Sequence, residues 1–166
     1  MVLPVLALAT TDYPDFTPLM LGITLGAYGL TQAILQIPLG LLSDRIGRQP
    51  VIIAGLLMFT VGSIVAALAD TMSGLVIGRA LQGTGAIAST LMALVADLTA
   101  EQNRSKAMAA IGGSIGFSFM LAMMLGPLLT TNFGLPGVFW LTAALGLIGI
   151  WITYFWVPKA ASMRRN

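Results

Sequence analysis

The chain has 166 residues, of which 57% are hydrophobic and only 8% charged, with eight cations against six carboxylates and a mean hydropathy of +0.93. A water-soluble domain carries about 25% charged residues, so a chain this apolar takes lipid rather than water as its solvent. It has no Cys and no His, which excludes disulfides, thiolate or imidazole metal sites, and any nucleophilic scheme that draws on either residue.

Hydropathy and turn residues divide the chain into five full spans and one partial one. Residues 1–10 are apolar but cover only about 15 Å at 1.5 Å per residue, the last part of a helix whose start is missing. There is no basic region ahead of them, and Ala7-Leu8-Ala9 is a poor cleavage signal, so they do not read as a signal peptide. A polar loop with Asp12, Pro14, Asp15 and Pro18 leads to a second span over 19–42 and a third over 50–69, with Pro50 in the first turn. The fourth span, 74–96, holds one charge, Arg79. The loop 97–106 precedes a charge-free stretch that Thr131-Asn132-Phe133-Gly134-Leu135-Pro136 divides into a fifth span, 107–129, and a sixth, 137–157. Residues 1–158 thus read as one transmembrane bundle and 159–166 as a basic tail. The expected fold is an all-α integral membrane protein.

Cations set the orientation. Arg45, Arg48, Arg104, Lys106, Lys159, Arg164 and Arg165 all fall in alternate loops or the tail, and the opposite loops have none. By the positive-inside rule these loops and the C-terminus face the cytoplasm, which also explains the basic balance without nucleic acid.

Two faces carry small residues at helical spacing: Gly22, Gly26 and Gly29 in the second span, and Gly112 and Gly116 in the fifth. Such faces let helices approach closely in lipid, where packing rather than water expulsion drives association. Tyr28, Gln32 and Gln36 form a polar stripe at four-residue spacing, which either lines a wet substrate path or hydrogen-bonds to neighbouring helices. The ten Met residues read as packing.

The densest chemistry lies in the turn Gly40-Leu41-Leu42-Ser43-Asp44-Arg45-Ile46-Gly47-Arg48. Gly40 permits close approach of a neighbouring helix and Gly47 a sharp reversal, while Asp44 and Arg48 bracket that reversal and are free to pair or to reach another helix. Topology alone requires cations, but neither Asp44 nor the two glycines. Arg79-Ala80-Leu81-Gln82-Gly83 places Arg79, Gln82 and Gly83 on one helical face within a span. An intramembrane Arg costs at least ~2.5 kcal/mol to insert, so Arg79 either joins a buried network or snorkels to the nearby interface. No carboxylate lies at membrane depth in a complete span.

These segments resemble the major facilitator superfamily. Residues 40–48 fit its G-x-L-x-D-R-x-G-R loop at every defining position, and 79–83 resemble its R-x-x-Q-G motif, associated with proton-coupled members. Gly126-Pro127 matches the G-P core of its antiporter motif only in part: Ala122 stands in place of the first glycine and Thr130-Thr131 in place of the closing pair, so a helix kink is an equal reading. The resemblance implies the N-terminal six-helix bundle of a twelve-span carrier, with its first helix truncated and a C-terminal bundle as its missing partner. It implies an inner-gate network of Asp44, Arg48 and Asp97, no bound cofactor, and a proton gradient as the driving force. The expected activity is alternating-access transport, foremost proton-coupled efflux of small amphipathic compounds across the bacterial inner membrane. A sugar or metabolite carrier of the same fold and a non-transporting scaffold are the alternatives; an enzyme is not expected.

Overall fold

The computed structural model describes residues 5–6, 9–11, 13–85 and 87–157. Asp12 and the basic tail lie outside the described residues, as does most of the expected partial first span.

Helix α1, Pro18–Ile46, starts where the Thr17 side chain accepts a hydrogen bond from the Met20 N–H at 3.1 Å, with Pro18 in the first turn, where no N–H is needed. Its 29 residues reach about 43 Å, more than a bilayer core. Gly47 ends it at φ 103°, a conformation open to glycine at little cost. Helix α2, Arg48–Ala67, begins at the next residue. The hairpin is therefore a single glycine, tighter than the sequence implies, with Asp44 and Arg45 inside the last turn of α1.

Thr71 caps helix α3, Met72–Thr84, through the Gly74 N–H, and helix α4, Ala88–Leu98, follows. The fourth span, expected to be one helix over 74–96, is thus broken between Thr84 and Ala88. Gly83 and Gly85 weaken the helix there, and Gly85 lies so close to the backbone of α2 that an added Cβ would meet the Gly55 carbonyl at 2.5 Å. After a 3-10 turn, Glu101–Asn103, helix α5 runs over Arg104–Trp156. Straight, its 53 residues would reach about 80 Å, but Gly134 leaves helical geometry at φ 66° and ψ −176° and divides it into two limbs. Where the sequence suggests a six-residue turn over 131–136, one glycine breaks the run.

The second limb lies antiparallel along α2. Val138 and Phe139 pack in one buried cluster with Ala66 and Ala67, Gly146 abuts Thr60, Gly149 abuts Leu56, and Gln49 bonds the carbonyls of Thr153, Tyr154 and Val157. The single-residue hairpin, the Glu101–Asn103 turn and Val157 therefore share one end of the bundle. The segment 13–17, the α2–α3 turn and Gly134 share the other, where Val5, Leu6, Met72, Leu75 and Phe139 form the apolar core.

The glycines that hold the bundle are not the ones the sequence spacing singles out. Gly22, Gly26, Gly29, Gly112 and Gly116 have nothing within 4 Å of an added Cβ. The close approaches fall at Gly83, where a Cβ would meet Thr31 and the Tyr28 carbonyl, and at Gly62 and Gly78, where α2 and α3 meet backbone to backbone. Spacing defines a smooth face but not whether a neighbour lies on it, and here those faces of α1 and of the first limb of α5 stand open.

Candidate functional site

At the hairpin end, one guanidinium gathers three partners from two directions. Arg48 pairs with Asp44 one turn back across Gly47, its Nη1 donates to Ser43 Oγ at 2.7 Å, and its Nε donates to Asp97 Oδ2 at 3.0 Å. Ser43 Oγ in turn donates to the Gly40 carbonyl at 2.6 Å. The knot joins the end of α1, the start of α2 and the end of α4. Asp44 and Asp97 stay about half exposed, so water and salt weaken the pairs and the site is able to open and close. Gly40 does what its place in the motif suggests: Ser89 of α4 lies 3.2 Å from where its Cβ would be, and Ser89 Oγ donates to the Gln36 carbonyl at 2.9 Å. A cleft of about 510 Å³ lies alongside, lined by Gln36, Gly40, Asp44, Arg48, Ser89 and Ala93. Arg45 is exposed and makes no ion pair among the described residues.

Deeper in the bundle, Arg79 is buried, with 4% of its surface exposed. It donates to Gln82 Oε1 at 2.8 Å, Gln82 Nε2 donates to Ser63 Oγ at 2.7 Å, and Ser63 Oγ donates to the Phe59 carbonyl at 2.8 Å. The guanidinium carbon stands 4.4 Å from the centroid of the Tyr28 ring, whose electron-rich face attracts the cation. Arg79 therefore turns into the bundle rather than snorkelling. Among the described residues its contacts are to neutral groups, and its Nε is buried without a hydrogen bond. Gly83 makes room by bringing α3 against α1, where Thr31 Oγ1 donates to the Ala80 carbonyl at 3.0 Å.

The polar stripe divides. Tyr28 sits under Arg79, Gln36 faces the cleft, and Gln32 lies half-buried between them. Gly126 is buried and its carbonyl accepts from Thr130 Oγ1 at 2.8 Å, while the backbone keeps helical dihedrals through Pro127; the departure lies at Gly134.

Sequence reasoning missed Ser89 at the knot, Ser63 under Arg79, and three residues that fasten the two ends of the bundle. Ser63, with Thr60 one of two polar residues in a charge-free span, carried the same signal as Gln32 and could have been found by it. Gln49, Asp15 and Tyr13 act on partners far away in the chain, and no local pattern marks them. At the end opposite the knot, Asp15 Oδ1 accepts from the Met72 N–H at 2.8 Å, and Tyr13 donates to the Ala69 carbonyl at 3.2 Å. That backbone bond holds the Asp15 carboxyl below the usual range, while burial, with the charge of Asp70, pushes the Tyr13 phenol up.

A helical bundle with membrane-length apolar helices, a charge knot at one end and a guanidinium buried at depth defines an all-α multi-pass membrane protein. The chain belongs to the Major Facilitator Superfamily, whose family model matches residues 1–166. It is 52% identical to the inner membrane transport protein YajR of Escherichia coli K12, over 98% of this chain and 36% of that protein. The segments 28–33, 40–48, 78–83 and 96–99 are those in which the sequence itself looks like the YajR type. The chain is also 39% identical to an uncharacterized transporter of Buchnera aphidicola from Schizaphis graminum, over 96% of this chain and 41% of that protein. To a triacylglyceride transporter of Mycolicibacterium smegmatis it is 34% identical, over 91% and 27%. The chain thus spans about two-fifths or less of the length of these relatives.

Proposed function

We propose that this chain forms the N-terminal bundle of a carrier that exports small, often amphipathic molecules across the bacterial inner membrane, driven by protons, and that a second bundle completes the cavity. The observation that carries this reading is the Asp44–Arg48–Asp97 knot. It ties three helix ends at one end of the bundle through pairs weak enough to be broken and remade, as a gate in alternating access requires. The cationic loops and the C-terminus face the cytoplasm in this reading, so the knot is the inner gate.

Arg79 supports proton coupling. A permanent positive charge in the bundle lowers the pKa of an acidic group brought near it and favours proton release. No carboxylate lies at membrane depth among the complete spans, so the titrating group is at a loop edge or in the second bundle. No bound cofactor is needed.

Drug-driven proton flux in liposomes containing the complete carrier tests the coupling. Flux that collapses in Arg79→Ala supports it, and transport indifferent to a proton gradient would overturn it. A reporter at Asn103 tests the orientation and is expected inside. Substrate-dependent flux from these 166 residues alone would end the half-carrier reading. An apolar, lipid-like substrate is the second reading, favoured by the name of the mycobacterial relative; competition between a labelled triacylglyceride and an amphipathic dye separates the two.

A further inference from the structure

A second cavity, of about 130 Å³, lies between the end of α1 and the start of α2. Leu39, Leu42 and Ile46 form one side and Pro50, Ala54 and Met58 the other. At 100° per residue, the three α1 residues centre roughly 130° around that helix from Gln36, Gly40 and Asp44, and the groove shares no lining residue with the polar cleft. Its one polar lining residue is Thr84, whose hydroxyl is already donated to the Leu81 carbonyl at 2.6 Å. The groove therefore presents only hydrocarbon, while Leu42, Ile46 and Met58 remain 40–56% exposed along it. Water gains nothing there, and a polar substrate would lose its hydration without compensation.

The charge beside the groove decides what fills it. Asp44 and Asp97 are both engaged by Arg48, which leaves Arg45 as an exposed cation without an ion pair among the described residues, one residue before Ile46. It stands in the last turn of a membrane-length helix. An apolar slot with an exposed, unpaired cation on the residue before Ile46, which lines it, matches an amphiphile with a negatively charged head. We infer that the groove holds a segment of one acyl chain of an anionic phospholipid, whose phosphate pairs with Arg45. The site does not depend on the transport reading, only on residence in a bilayer.

The chain has no cysteine, so Ala54→Cys introduces one thiol into the groove for a bimane probe. The complete carrier, with this its sole cysteine, is placed in phosphatidylcholine vesicles, and brominated phosphatidylglycerol or brominated phosphatidylcholine is titrated in. The expected result is quenching about fivefold more avid for phosphatidylglycerol, the preference that one cation near an anionic lipid supplies. Arg45→Gln abolishes that preference and Arg45→Lys keeps it. Equal quenching by both lipids with Arg45 present would overturn the headgroup assignment. No quenching by either would show that protein covers the groove, and would overturn the site altogether.

Discussion

The guanidinium carbon of Arg79 lies 4.4 Å from the centroid of the Tyr28 ring, so the one fully buried charge among the described residues is held between α3 and α1 by an aromatic face rather than a carboxylate. In a desolvated site such a contact contributes about 2 kcal/mol. Tyr28→Phe keeps the face and is expected to stay near wild type in thermal stability in detergent. Tyr28→Leu removes it and lowers stability by about that amount. Equal losses in both would place the contribution in the hydroxyl instead.

Substitution of Arg79 itself separates charge from shape. Lys keeps the charge but lacks the planar fork that reaches Gln82 while lying over a ring. In the complete carrier, drug-driven proton flux is expected to fall well short of wild type in Arg79→Lys and further in Arg79→Ala. A fully active lysine variant would show that a positive charge anywhere nearby suffices.

The knot predicts non-additivity. Because Arg48 serves both Asp44 and Asp97, removing either carboxylate frees the guanidinium for the other. Asp44→Asn should therefore leave membrane insertion intact and slow transport at equal abundance, and adding Asp97→Asn should not cost the sum of the two single effects. Each half-exposed pair contributes about 0.2–1 kcal/mol. Wild-type rates in Asp44→Asn would show that the gate does not need the charge.

What could be read from the sequence follows the range of the interactions. The hairpin chemistry was visible because Asp44, Gly47 and Arg48 act within one helical turn of one another. That the hairpin is a single residue, and that α3 breaks near Gly85, depends on how closely α2 and α3 approach, which no window of the sequence records. The same holds for Gln49 and Thr153, 104 residues apart. The glycine faces show the converse: Gly26 and Gly83 look alike in sequence, yet only Gly83 has a neighbour against it.

That difference is measurable. Gly83→Ala forces a methyl group into Thr31 and the Tyr28 carbonyl, and overpacking of this kind costs about 1–3 kcal/mol. Gly26→Ala in the same 166-residue chain meets open space and is expected to be neutral, or stabilising by up to about 1 kcal/mol through helix propensity. Thermal melts that rank the two variants the other way would contradict the packing of α3 on α1.

Asp15 gives the stability a sign in pH. It accepts the Met72 N–H at the start of α3, where free N–H groups and the helix dipole favour a negative charge, and its carboxyl is held below the usual range by that bond. A carboxylate depressed on folding stabilises the fold above its unfolded pKa of about 3.9, and that contribution is lost as pH falls through the lower folded value. Asp15→Asn keeps a side-chain acceptor but not the charge. It should melt below wild type at neutral pH, and the gap should close as the pH is taken below about 3.9. A gap of the same size at both ends of that range would mean that the hydrogen bond, not the ionised carboxylate, fastens this end of the bundle.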